Sequence, residues 1–384
     1  MSNTRIVSGL IAGFSLMVAQ LPVLAQAVQR GPDFEIGGFR IFQLNDGDSR
    51  FDPYVVQQDF NYGAEIPQRE GLIDVRLTVT ADGTVTNVEN LGGFYDENFL
   101  KEAMQGITGT TFNPATEGEQ PVQWTQFDMR ILLRGMFAAG IKEERKQDYA
   151  TLLEMISASR FEEAESFAME LLKEKTTLLF EYAYLQDQLA TIYMDTGRLH
   201  EALVASRHAT ALTKPVVPVV RADSRMKFSD DFYPAEFLPA ASYISALRKR
   251  VLIALASNQT GEALRSYELL VPKVELTGDK TLLADLQPKI DELKQALASD
   301  QQIGSVIKLV QGVWIYPLSN RRTVGVTGLQ GKVDFLDIDC KGATKRRLPF
   351  QNESEWKIPE SWGTCSLEFR GEPDSQFTMY EFLD

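Results

Sequence analysis

The sequence is poor in the residues that most often carry chemistry. Among 384 residues there are two histidines, His200 and His208, and two cysteines, Cys340 and Cys365. So few histidines argue against a histidine-based triad or a zinc centre. The two fall in one stretch of helical character, with a turn expected before His200 in "GRLHEA", and read as ordinary residues of that stretch. No G-x-S-x-G, H-E-x-x-H, dinucleotide-binding glycine pattern or P-loop occurs, and "GLQGKV" lacks both the spacing and the Ser/Thr of a phosphate loop. "NDGD" at 45–48 opens like a calcium loop but lacks the later acidic ligands, so it reads as a turn. No catalytic residue, cofactor or metal is expected. Basic residues are also in deficit, 39 Lys+Arg against 53 Asp+Glu, for a formal charge of −14. That balance argues against nucleic acid and against an anionic membrane surface. The short basic runs "RKR" at 248–250 and "KRR" at 345–347 either meet an acidic partner or bridge locally. The acidic pairs Glu162/Glu163 and Asp230/Asp231 read as solvated surface.

Long apolar runs are missing after residue 27. Before it, Arg5 is the only charge, "IVSGLIAGFSLMVAQLPVLAQA" follows, and Pro22 precedes the small residues Ala25 and Ala27. This is the pattern of a cleaved secretory signal over 1–27. The rival is an uncleaved inner-membrane anchor, the one way this chain would touch a membrane, since the run is nearly long enough to span. Export makes a single disulfide, Cys340–Cys365, the favoured reading of the cysteines. A loop of that length is worth roughly 3–4 kcal/mol at most in the chain-entropy picture.

What is present divides into unlike regions. Residues 28–59 are a polar linker with one short strand, "FRIF". From 71, Ile73, Val75, Leu77 and Val79 alternate with Asp74, Arg76, Thr78 and Thr80. "ADGT" supplies the Asp-Gly turn, and Val85 and Val88 mark the return strand. "YDENFLKEAMQGI" puts Phe99, Leu100, Ala103 and Ile107 at helical spacing, with Asp96 as N-cap. After "FNPA" the alternation of Phe127, Met129, Ile131 and Leu133 gives a long strand. The order is strand, strand, helix, strand.

Residues 60–135 resemble the C-terminal domain of the TonB energy-transducer family. The resemblance rests on "GLIDVRLTVTADGTVTNVENL", "FLKEAM", "FNPA" and "EGEQPVQWTQFDMRI", in that order. The Tyr-Pro before the first strand, the basic end of the helix and the long Pro-rich spacer are absent. The resemblance implies a ββαβ domain that binds extended peptides of outer-membrane receptors by strand addition. It places the partner-binding edge on the last strand, at Trp124, Thr125, Gln126, Phe127, Asp128, Met129, Arg130 and Ile131.

Residues 141–303 read as helical. Arg160-Phe161-Glu162-Glu163-Ala164 matches Arg198-Leu199-His200-Glu201-Ala202, and a third copy centres on Gly261-Glu262-Ala263. The pattern resembles degenerate tetratricopeptide repeats. An insertion at 214–240 holds prolines that forbid a continuous helix, and its aromatics Phe228, Phe232, Tyr233 and Phe237 are expected to pack on the repeats. Residues 310–384 are short strands between Gly/Pro turns, expected as a small β-sandwich. There Trp314, Trp356 and Trp362 either plug the core or stack on sugars. The fold class expected is multidomain α+β: a TonB-C-like domain, a repeat domain and a sandwich with one disulfide. The function expected is that of a periplasmic adaptor with protein partners. An anchored energy transducer and a glycan-binding envelope protein are the alternatives.

Overall fold

The computed structural model describes residues 34–36, 39–43, 55–57, 70–109, 111–112, 115–117, 120–133, 140–176, 178–211, 237–299, 302–340 and 343–383. Residues 1–27, most of the stretch 28–69 and residues 214–236 of the insertion, with Phe228, Phe232 and Tyr233, lie outside them.

Three short strands come first: β1 (Phe34–Ile36), β2 (Phe39–Gln43) and β3 (Val55–Gln57). β4 (Gly71–Val79) and β5 (Val85–Phe94) then form the hairpin that the alternation predicts. Gly83 sits at φ 84°, a conformation that a Cβ disfavours. Thr80 N–H donates to Thr84 O and Gly83 N–H to Thr80 O, both at 2.9 Å, closing the turn. α1 (Glu97–Thr108) starts where expected, with the Asp96 carboxylate accepting the Phe99 N–H at 2.8 Å. β6 (Thr111–Phe112), β7 (Ala115–Glu117) and β8 (Gln120–Val122) lead to β9 (Trp124–Leu133). One antiparallel sheet runs β1-β2-β9-β4-β5, while β3–β6 and β7–β8 pair apart from it. Ile73, Val75, Leu77, Val79 and Ile131 of this sheet are buried, as are Phe99, Ala103 and Ile107 of α1. Phe99 lies over Gly71, where a Cβ would come within 2.3 Å of the ring.

Seven helices follow: α2 (Lys146–Ser157), α3 (Phe161–Glu170, continued by a π-helical turn), α4 (Leu179–Asp195), α5 (Leu199–Ala209), α6 (Ala240–Ala256), α7 (Thr260–Thr277) and α8 (Lys280–Ser299). The three sequence copies are three helical hairpins with one shared turn. Ser159, Gly197 and Asn258 have φ of 56°, 76° and 57°. Each donates its N–H three residues back, and the next residue donates five back: Arg160 to Met155 O, Arg198 to Tyr193 O, Gln259 to Ala254 O. That double closure satisfies carbonyls a helix end leaves open. Ala164, Ala202 and Ala263 then fall at matching places in the second helices, fully buried, where small side chains let the helices approach. Phe237 of the insertion is buried among α6 and its neighbours.

The C-terminal strands are β10 (Gln302–Lys308), β11 (Val313–Pro317), β12 (Thr323–Gln330), β13 (Val333–Cys340), β14 (Ala343–Pro349), β15 (Glu355–Lys357), β16 (Cys365–Gly371) and β17 (Gln376–Phe382). They form two antiparallel sheets, β10-β17-β12-β15 and β11-β16-β13-β14. Phe369 of one meets Phe377 of the other with ring centroids 4.8 Å apart. The boundary differs from the expected one: β10 begins the sandwich at 302, ahead of 310. Its buried Ile303, Ser305 and Ile307 alternate properly, but a serine and Gly304 mute the apolar signal. Cys340 and Cys365 face each other across β13 and β16 and are bonded, 25 residues apart. The architecture is α+β with antiparallel sheets and one disulfide. Among the described residues no helix is long and apolar enough to cross a membrane.

Candidate functional site

β9 is the strand on which the sequence places partner binding. Along one side it pairs with β4 from Gly71↔Leu133 to Val79↔Trp124. Along the other it pairs with β2: Arg40↔Leu132, Ile41↔Ile131, Phe42↔Arg130 and Gln43↔Met129. This corrects the expected edge. Met129, Arg130 and Ile131 lie on an interior strand, because the linker strand "FRIFQ" returns to pair with them. Trp124, Thr125, Gln126, Phe127 and Asp128 extend past the end of β2, and no described strand continues it alongside them. Ile131 itself is 1% exposed and belongs to the core. The short strand expected at "FRIF" is β2, and what the sequence did not reveal is its pairing with β9.

The opposite long edge, β5, is shaped differently. Asp74 pairs with Gly92 and Val75 with Asn90, so Leu91 is an extra residue and the strand bulges. Gly92 and Gly93 follow at φ 111° and 148°. Thr86, Asn87 and Asn90 are exposed. Bulges and polar side chains are the means by which sheets discourage pairing at an edge.

The other face of the sheet, where Leu72, Asp74, Arg76 and Thr78 lie, carries two joints. At one end Leu72 and Phe94 pack on the helices, and Phe94 stacks on Tyr182 with centroids 5.0 Å apart. The Glu70 carboxylate accepts the Leu179 N–H at 2.7 Å, at the start of α4. At the other end Arg76 enters the sandwich. It is 3% exposed and donates to both carboxylate oxygens of Glu368 on β16, at 3.1 and 2.6 Å. Lys345 Nζ also reaches Glu368, at 2.6 Å. Asp337 lies 3.5 Å from Arg76 and accepts two bonds from Arg347. Arg370 joins Glu368 to Glu89 on β5. Burial pushes the Glu368 carboxyl up, but Lys345 and then Arg76 outweigh it and hold it well below the carboxylate range. The "KRR" run therefore bridges locally, and Arg346 covers Trp362 at 4.7 Å.

Between helices and sandwich the contact is of another kind. Leu203, Ile253 and Ala263 share one continuous core with Ile307, Leu309, Trp314 and Leu318. Gly261 approaches Pro317 so closely that a Cβ would sit 1.9 Å from its carbonyl oxygen. Side chains from α5 and from the α6–α7 turn meet the edge strands: Asn258 donates to Gly304 O, His200 Nε2 bonds Val306 O at 2.9 Å, and Arg207 donates to Ile315 O at 2.8 Å. The chain itself thus takes up carbonyls on both edge strands, β10 and β11, on this side. Burial pushes His200 below its ordinary 6.5 although the Val306 bond opposes this. Glu262, fully buried, is raised by burial but held low on balance by Arg207 and Arg250. Lys249 of "RKR" is local too, on Asp187 at 2.8 Å.

Glu381 and Tyr316 form a further buried polar group. Tyr316 Oη donates to Glu381 at 2.8 Å, and Ser319 donates through N–H and hydroxyl at 2.9 and 2.8 Å. Burial keeps the Glu381 carboxyl above its ordinary value despite these bonds. The group ties β11 to β17 and is closed to solvent, with both residues at 1% exposure or less. Trp314 is also buried, so the three tryptophans do not form an outward face for a sugar. Among the described residues no group of three His, Cys, Asp or Glu is placed to hold a metal ion.

No family model matches the chain, and no curated protein matches it. The residues themselves carry the functional reading: among the described residues no strand covers the Trp124–Asp128 side of β9 that faces away from β4.

Proposed function

We propose that this chain is an adaptor of the cell envelope, holding protein partners through an extended peptide that adds to β9 along Trp124–Asp128. The observation that carries the reading is the register. β9 is paired with β4 from Gly71↔Leu133 to Val79↔Trp124, with a register shift at Thr125–Gln126, whereas β2 covers it only from Met129 to Leu132. A row of main-chain donors and acceptors on a strand that is rigid on its other side suits strand addition. The edge β5, with Thr86, Asn87 and Asn90 exposed and Gly92 and Gly93 at positive φ, makes a poorer template. The resemblance of residues 60–135 to TonB C-terminal domains favours the same strand, and it makes peptides of outer-membrane receptors the partner class. The helical hairpins give a second surface for protein contacts. An N-terminal export pattern and the disulfide suit the periplasm.

The test is selection of extended peptides on the full chain, followed by hydrogen exchange of the complex. Selected peptides are expected to slow exchange of amides within Trp124–Asp128. Peptides that bind but leave those amides unchanged would remove the reading.

A further inference from the structure

β2 occupies β9 in the way a bound peptide would. It is short, extended and antiparallel, and contributes four register pairs, Arg40↔Leu132 to Gln43↔Met129. Its other described strand partner is β1, through three pairs. A two-stranded hairpin has little stability of its own. Among the described strands the β1–β2 hairpin is therefore held by β9 alone, while β9 also pairs with β4. The asymmetry makes β2 the replaceable member of the pair.

Resting on the strand-addition reading above, we propose that β2 is a built-in placeholder on the partner site. A partner peptide pairs first with Trp124–Asp128, which no described strand covers opposite β4, then advances along β9 and displaces β2 from Met129–Leu132. A peptide of nine residues would make pairs along 124–132, against four for β2, so displacement runs in its favour. The placeholder also indicates what the site takes. "FRIFQ" alternates aromatic or aliphatic residues with Arg40 and Gln43, and an acidic chain of formal charge −14 favours a peptide bearing positive charge. Because the full site is available only in the fraction of molecules with β2 detached, the placeholder lowers apparent affinity by that fraction.

The experiment uses the full chain and a labelled synthetic peptide of residues 37–45, "GGFRIFQLN". The double substitution Ile41→Pro/Phe42→Pro removes β2 pairing whichever amide faces β9. This variant is expected to bind the peptide about tenfold tighter than the unsubstituted chain or better. Exchange at Met129–Leu132 should be faster in the free variant and slow again with peptide. A second variant, Ile41→Cys/Ile131→Cys, joins two directly opposed positions. It should lose peptide protection at 129–132 while keeping any at 124–128, and it serves if the proline variant does not fold. Equal affinity in all three chains, with peptide protecting only 124–128, overturns the placeholder and leaves strand addition standing. Absence of peptide binding to the folded variants, with no protection anywhere on β9, overturns both.

Discussion

The sandwich meets its two neighbours through unlike surfaces. Against the helices it shares one apolar core, in which Trp314 lies between His200 and Arg207, 4.8 and 5.0 Å away. Against the N-terminal sheet it presents Glu368, Asp337 and Lys345 to Arg76, all at most 5% exposed. Apolar contact is non-directional and scales with area. A buried ion network gains little net energy after desolvation but penalises any arrangement that leaves a charge unpaired. The helices thus supply adhesion, whereas Arg76 and Glu368 supply alignment.

That contrast can be broken from either side. Trp314→Ala empties the apolar joint and is expected to cost about 3–5 kcal/mol, read as a lower urea midpoint for the helices and sandwich together. Glu368→Ala leaves Arg76, Lys345 and Arg370 without their shared carboxylate. Its cost is of the same order, about 3–5 kcal/mol at the upper end, but hydrogen exchange should place the loss at β4 and β16, with α5 and α7 little changed. Replacing the buried ions together, as Arg76→Met/Lys345→Met/Glu368→Leu, should return stability to within about 1–2 kcal/mol of the parent or above it. A large loss in that triple variant would show that the ions do adhere.

Acid separates the joints more gently. His200 has a depressed folded pKa, so the unfolded chain takes a proton first as pH falls below 6.5. Stability is lost from there down to the folded value, set among Glu201, Lys308 and Arg207. Glu368 has a depressed carboxyl, so its contribution is complete above 4.5 and is lost only as pH falls below that value. Between pH 6.5 and 4.5 His200 should therefore weaken the apolar joint while Glu368 still holds the polar one, an effect that His200→Gln abolishes in a pH series of urea titrations.

Local features of the fold were legible because their causes are local. The alternation of β4, the Asp-Gly turn, the Asp96 cap and the Ala positions of the hairpins each depend on neighbours in sequence. The disulfide followed from there being only two cysteines. Arg76 shows what was not legible: its strand face reads as polar, yet its partner Glu368 is 292 residues away. The same holds for β2, which becomes meaningful only once it returns to β9. The tryptophans could not be sorted into core and surface until the two sheets were placed against each other.

The distance between Arg76 and Glu368 has a bearing on how the chain is born. Synthesis runs from the N-terminus, and domains tend to form as they emerge. β4 is made long before β16, so Arg76, Asp74 and Thr78 must face water while the helices and the sandwich are still to come. A face built of apolar residues would be sticky during that wait. The polar face keeps the early sheet wettable, and the arrival of Glu368 near the end of the chain turns it into an interior.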